Sequence, residues 1–141
     1  MVTVIFPGRL ESLADIRDFV VQAAKRAGFD EKDVYAVELA VDEACTNIIE
    51  HAYGNQESGE IECTCDVREG EIVIVLRDHG KPFDPDKIPE PNFSVGLAEL
   101  KPRGAGLFIM KKMMDEVKFT FDSKKGNTLR MVKRKKPEDY P

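Results

Sequence analysis

Glu43 and Asn47 are the first pair of residues in the chain whose types and spacing suit catalysis. They are four positions apart in a segment with helical periodicity, so both side chains lie on one helix face. The carboxylate can accept a proton from a nucleophile. The carboxamide oxygen is a ligand that Mg²⁺ accepts together with several waters. Taken alone, the pair is a weak signal, because the same spacing is common on solvated helix surfaces.

A second candidate group begins at Asp78, directly after the apolar run that ends at Leu76. A carboxylate at the end of a buried strand can lie on a pocket floor and accept a hydrogen bond from an exocyclic amine. Gly80 allows the backbone to approach a flat ligand closely. The simpler interpretation is a turn stabilised by an aspartate and a glycine, which is common.

A third group lies at the expected start of a helix and consists of Arg103, Gly104, Ala105, Gly106 and Leu107. Glycines before a helix leave backbone N–H groups free to point at an anion, and the helix N-terminus adds its positive end. The arrangement suits a triphosphate, although it is neither a Walker A loop nor a complete G-x-G-x-x-G. A flexible junction between loop and helix is the alternative.

The fourth group, Gly126 to Thr128, opens the last predicted strand. Its Thr128 hydroxyl is expected to point at the same pocket. Taken alone, this group is an ordinary turn followed by a β-branched residue.

Hydrophobic periodicity predicts the elements that position these groups. The order is strand, helix, helix, two strands as a hairpin, a long loop, helix and two strands, with Asp30 as N-cap of the second helix. Such an order predicts an α+β fold, a two-layer sandwich with a mixed, mostly antiparallel sheet. Residues 79–103 contain five prolines and little periodicity, and long loops of this kind are usually functional.

Composition limits the choice of partner and location. The 141 residues suit a single domain, 1–141, and the net charge of −5 makes nucleic acid an unexpected partner. No apolar run has the length of a membrane span. Three cysteines without a secretory signal favour a reducing cytosol, and the C-x-C at Cys63 and Cys65 suits core packing better than zinc.

The order of the four groups resembles the conserved boxes of the GHKL ATPase superfamily, whose ATP-binding domain has the Bergerat fold. Within it, three stretches look like the anti-sigma-factor serine/threonine kinases, and the likeness runs from about Val2 to Lys133. The stretches are Ala36–Tyr53, the D-x-G-x-P-F-D-P run Asp78–Pro85, and Gly104–Met110 followed by Met114–Val117. The resemblance also implies that residues 86–103 form the ATP lid.

The resemblance implies a role for each matching residue. Glu43 would be the general base for a serine or threonine hydroxyl, and Asn47 would ligate Mg²⁺. Asp78 would bind the adenine amine, with Gly80 and Thr128 beside it. The stretch from Arg103 to Leu107 would face the phosphates, and Arg103 is a departure, because many members have glycine or serine there.

The implied function is a cytoplasmic ATP- and Mg²⁺-dependent protein kinase. It would phosphorylate an anti-sigma-factor antagonist protein and sequester a sigma factor, without direct contact with nucleic acid or membrane. Family members are commonly dimers, so a homodimer is also expected. Three alternatives stay open: an ATP-dependent binding switch without kinase activity, an ATP hydrolase, and a detached module that phosphorylates histidine.

Overall fold

One antiparallel sheet covered by helices makes up the part of the chain that the structure, a computed structural model, describes: residues 1–54, 59–81 and 102–136. The strands are β1 (Val2–Pro7), β2 (Glu60–Arg68), β3 (Glu71–Asp78), β4 (Glu116–Asp122) and β5 (Gly126–Arg134). The α-helices are α1 (Leu13–Arg26), α2 (Glu31–Asn47) and α3 (Pro102–Met113), with a short 3₁₀ turn at Leu10–Ser12.

The sheet has the strand order β1-β2-β3-β5-β4, so the hairpin strand β3 lies at its centre. Its inward side chains form one core with the apolar stripes of the helices, and this core includes Ile74, Leu76 and Met131. Cys63 and Cys65 also face this core, as their alternation predicts. The register pairs Asp78 with Asn127 at the end of the two central strands. The sheet therefore brings the second and fourth candidate groups together.

The N-terminus of α2 is fixed by polar contacts that the sequence partly predicts. Asp30 caps the helix as expected, since its side chain accepts a hydrogen bond from the Asp33 N–H at 2.8 Å. Lys133 of β5 donates to the carbonyl of Met113 at 2.7 Å and lies 3.8 Å from the Asp33 carboxylate. This largely buried lysine links the start of α2 to the end of α3, so it helps to fix the position of one helix relative to the other.

A π-helix, Ile48–Ala52, continues α2 beyond Asn47. The sequence predicts only an ordinary helix ending near Tyr53. The wider turn, with the Tyr53 N–H bonded to the Ile48 carbonyl at 3.1 Å, re-aims the chain directly after the Glu43–Asn47 pair. Such widened turns often occur at functional sites.

The structure confirms the predicted order of elements and changes two details. All pairings among the described strands are antiparallel, so the expected mixed character is not found there. Helix α3 begins at Pro102 rather than near Gly104, and proline suits the first position of a helix. Apart from positions 102 and 103, the predicted lid at 86–103 lies outside the described residues.

None of the helices within the described ranges has the length and hydropathy that crossing a membrane requires.

Candidate functional site

Asp78 forms the floor of the candidate site at the end of β3, where its side chain is 4% exposed. Its Oδ1 accepts hydrogen bonds from the Gly80 N–H at 2.9 Å and from Asn127 Nδ2 at 2.8 Å. Among the described residues, both recorded bonds fall on Oδ1. The second oxygen, Oδ2, is therefore left as an acceptor for a ligand donor.

Asn127 is a site residue that the sequence analysis missed. Its Nδ2 donates to the carbonyls of Gly80 at 3.1 Å and Lys81 at 3.4 Å, besides Asp78. One amide thus links β5 to the carboxylate and to the loop behind it. The sequence already placed Asn127 inside the fourth candidate group. Only the pairing of β3 with β5 shows that Asn127 lies opposite Asp78.

The pKa of the Asp78 carboxyl is raised, chiefly because burial disfavours its charged form. Three groups act in the opposite direction: the Asn127 amide first, then the Gly80 N–H and His79. Without these donors the carboxyl would be more readily protonated. A protonated Asp78 would present a donor where the ionised form presents only acceptors.

Gly80 is required by the protein's own backbone. The expected close approach of Gly80 to a flat ligand stays a prediction. A Cβ at Gly80 would lie 2.5 Å from the Ala52 carbonyl oxygen, closer than real atoms approach. The Lys81 N–H donates to the same oxygen at 2.8 Å. The loop after Asp78 is therefore packed directly onto the π-helix that follows Asn47.

Tyr53 reinforces the same junction. Its hydroxyl donates to the Glu60 carbonyl at 2.6 Å and accepts from the His79 N–H at 3.0 Å. Gly59 lies so close to the tyrosine ring that any side chain there would clash. The end of the α2 segment, the start of β2 and the Asp78 loop are thus fixed to one another.

Thr128 does not lie with Asp78. It pairs with Arg77, and its Oγ1 accepts from Arg77 Nε at 3.4 Å. Because successive side chains of a strand point to opposite faces, Thr128 lies on the sheet face away from the helices. The expectation that the Thr128 hydroxyl faces the pocket is therefore wrong. The preceding residue, Asn127, lies there instead.

The first and third candidate groups meet between α2 and α3. A Cβ built on Gly106, which is buried, would lie 3.0 Å from Glu43 Oε2 and 3.7 Å from Asn47 Nδ2. Because Gly106 has no side chain, α3 packs closely against the Glu43 carboxylate and the Asn47 carboxamide. The N-terminus of a helix carries a partial positive charge and N–H groups that have no partner inside the helix.

Glu43 is a better proton acceptor than an ordinary glutamate. Its pKa is raised, first by burial and then by repulsion from the Asp42 and Glu50 carboxylates. A glutamate whose pKa is raised holds a proton more strongly once it has accepted one, which fits the role of a general base.

The remaining members of the third group are placed differently. Leu107 is 7% exposed and packs in the hydrophobic core, so its side chain is not available to a ligand. Arg103, Gly104 and Ala105 belong to the first turn of α3 instead of the preceding loop. Their side chains lie outside what the structure describes, so the expected contact between Arg103 and a phosphate stays a prediction.

The residues at the α2–α3 junction fit a bound Mg²⁺ and phosphates. Asn47 Nδ2 is buried and has no hydrogen-bond partner among the described residues. Buried amides are normally paired, so this carboxamide has spare capacity for a ligand, and its oxygen and nitrogen can exchange places by rotation. Within the described ranges, no three His, Cys, Asp or Glu side chains converge on a metal position. Asn47 would then supply a single protein oxygen, as Mg²⁺ in phosphate sites commonly accepts.

Comparison with known proteins agrees with this geometry. Residues 6–133 match the family described as the histidine kinase-like ATPase domain. The catalytic domain of the histidine kinase ThkA superposes with a TM-score of 0.57 at 18% identity, over 99% of this chain and 100% of that domain. A structure of the RsbU and RsbW domains of a Mycobacterium tuberculosis protein gives a TM-score of 0.62 at 14% identity, over 95% of this chain and 32% of that one. These likenesses define the class as a Bergerat-fold ATPase domain.

Relatives that are similar in sequence identify the family within this class of ATPase domains. The serine-protein kinase RsbW of Bacillus velezensis is 32% identical over 133 residues, covering 90% of this chain and 81% of the relative. The RsbW of Bacillus cereus is also 32% identical, over 131 residues, with 90% and 80% coverage. The chain belongs to the RsbW family of serine-protein kinases.

The Gly80–Ala52 contact leads to a test of the junction. Gly80→Ala should lower the free energy of unfolding by about 1–3 kcal/mol, because the added Cβ meets backbone that cannot move aside. It should also weaken nucleotide binding, since the Asp78 loop must shift. Chemical denaturation and calorimetry measure the two effects.

Gly54→Ala is the matched control, because Gly54 has a positive φ of 58° and no atom of the described residues lies within 4 Å of an added Cβ. It should cost about 1 kcal/mol of stability from its backbone conformation and leave nucleotide affinity unchanged. Equal affinity in Gly80→Ala and wild type would show that the loop does not depend on this contact.

Proposed function

We propose that the chain is a cytoplasmic, ATP- and Mg²⁺-dependent serine/threonine kinase that acts as an anti-sigma factor. It phosphorylates an antagonist protein on a hydroxyl side chain, and it sequesters a sigma factor. The observation that carries the catalytic part is the close approach of Gly106 in α3 to Glu43 and to Asn47, whose amide nitrogen has no partner among the described residues. Membership in the RsbW family supports the choice of substrate and partners.

Each residue of the site has one task in this proposal. Asp78 Oδ2 accepts a hydrogen bond from the adenine amine, and the buried surroundings exclude water that would compete for it. Asn47 holds Mg²⁺ through its carboxamide oxygen. The first turn of α3 directs backbone N–H groups at the phosphates. The metal, when bound, neutralises phosphate charge.

Glu43 performs the proton transfer. Its carboxylate takes the proton from the substrate hydroxyl as that oxygen forms a bond to the γ-phosphorus and the bond to the β-phosphate oxygen breaks. ADP leaves with the bonding electron pair. The repulsion from Asp42 and Glu50 makes Glu43 a stronger base, which favours this step.

A kinase differs from a pure ATP-binding switch in its need for Glu43.

The net charge of −5 supports a protein partner over nucleic acid. A homodimer remains part of the proposal, without a located interface.

Two variants separate binding from catalysis. Asp78→Asn should weaken Mg·ATP binding roughly 30- to 150-fold. The amide can place a donor where the carboxylate accepts, and buried polar groups that are mispaired cost about 2–3 kcal/mol of binding free energy. Glu43→Gln should bind with near wild-type affinity and transfer phosphate about 10²- to 10⁴-fold more slowly. Calorimetry gives the affinities, and transfer of labelled γ-phosphate to candidate antagonist proteins gives the rates.

The stability of the labelled product in acid decides between the alternatives. An acid-stable product is expected for phosphoserine or phosphothreonine, whereas phosphohistidine is acid-labile. Full transfer by Glu43→Gln would refute its role as the base, and ATP binding without any transfer by wild type would favour the binding switch.

A second test uses Gly106. Gly106→Ala should change the free energy of unfolding by less than about 1 kcal/mol, because the better helix propensity of alanine is offset by the close contact of its Cβ with Glu43. The same change should slow phosphoryl transfer about tenfold or more, since the added Cβ displaces Glu43 from its position. Thermal unfolding and single-turnover rates are measured on one preparation. An unchanged rate would show that phosphoryl transfer does not depend on the position of Glu43 beside Gly106.

A further inference from the structure

Three acceptors share the single amide nitrogen of Asn127: Asp78 Oδ1 at 2.8 Å, the Gly80 carbonyl at 3.1 Å and the Lys81 carbonyl at 3.4 Å. The amide is partly buried and comes from β5, while all three acceptors belong to the end of β3 and its loop. Asn127 therefore determines which oxygen of the Asp78 carboxylate is hydrogen-bonded within the protein, and that oxygen is Oδ1.

We propose that Asn127 is a positioning residue that makes the pocket select a 6-amino purine over a 6-oxo purine, by holding Asp78 Oδ1 so that Oδ2 faces the base. This inference rests on the proposed function, because it assumes that the purine lies against Asp78. It deepens that function by naming the residue that sets base selectivity.

The chemistry of the purine edge explains the selectivity. A 6-amino group donates, so it pairs with an ionised carboxylate, which can only accept. A 6-oxo group accepts, so at the place of the 6-amino group it is repelled by the ionised carboxylate, and the purine must shift before its N1–H can donate to Oδ2. Selectivity therefore depends on keeping Asp78 both oriented and ionised.

Asn127 serves both requirements. Its donated hydrogen bond orients the carboxylate, and the same bond lowers the pKa of Asp78 against the raising effect of burial. The other groups around Asp78 are the Gly80 N–H and His79, which also lower that pKa, and the Tyr53 hydroxyl, whose own pKa Asp78 helps to raise. Of these groups, only Asn127 comes from the neighbouring strand.

The test compares ATP with inosine triphosphate, which differs at the 6-position, as Mg²⁺ complexes in calorimetry from about pH 5 to pH 8, where free carboxyls are ionised. The ratio of the two affinities isolates the contribution of the purine 6-position, because the triphosphate groups of the two nucleotides titrate in the same way. Wild type should strongly favour ATP. Asn127→Ala should reduce the preference about tenfold, the value of one hydrogen bond to a charged group.

The pH profile distinguishes positioning from a structural role. Losing the Asn127 donor raises the pKa of Asp78, so the preference for ATP should begin to fall at a higher pH in Asn127→Ala than in wild type. Asn127→Asp, which is nearly isosteric, should show the largest shift, because two adjacent carboxyls favour sharing a proton. It should also bind inosine triphosphate more tightly than wild type does.

Thr64→Ala is the control for general destabilisation, because Thr64 shares an exposed hydrogen bond of 2.8 Å with Thr3, away from the site. It should keep the wild-type ratio and pH profile. If both Asn127 variants also keep them, the inference is wrong while the proposed function stands. If wild type binds neither nucleotide, the proposed function fails, and the inference fails with it.

Discussion

The contact between Gly80 and Ala52 is the constraint on which the candidate site depends, because it joins the Asp78 loop to the helical segment that follows Glu43 and Asn47. The Asp78 loop can lie this close to backbone only because position 80 carries no Cβ. The π-helix turns the Ala52 carbonyl toward the Lys81 N–H, and Tyr53 closes the junction from the side. A rigid junction of this kind fixes the distance between the base end and the phosphate end of a ligand, which phosphoryl transfer requires.

The two carboxylates of the site are tuned by different surroundings. Burial raises the pKa of both, but donors from Asn127 and a backbone N–H oppose the effect at Asp78. At Glu43 the neighbours are the carboxylates of Asp42 and Glu50, which add to it. The pKa is raised at both residues, but only at Asp78 do neighbouring groups act against the effect of burial. Environments that set two carboxyl groups to different tasks are a common device in enzymes.

The approach of the candidate groups to one another was expected only from the resemblance to a known family, since contacts between distant segments do not follow from local patterns. Periodicity predicted the order of elements and the Asp30 cap, because these depend on local patterns. It could not predict the π-helix, since an apolar stripe looks the same on α- and π-turns over so few residues. Thr128 was misplaced by one position because strand register depends on pairing across the whole sheet, and Asn127 was missed for the same reason. The sequence singled out Gly80 but could not show that its close neighbour is the backbone of Ala52, because that contact joins segments distant in the chain.

The most direct test of the central claim is a crystal structure of the protein with Mg²⁺ and a non-hydrolysable ATP analogue. The account predicts the adenine amine within hydrogen-bond distance of Asp78 Oδ2, the metal on the Asn47 oxygen, and the terminal phosphate between Glu43 and the first turn of α3. A nucleotide bound elsewhere, or one whose base does not reach Asp78, would contradict it.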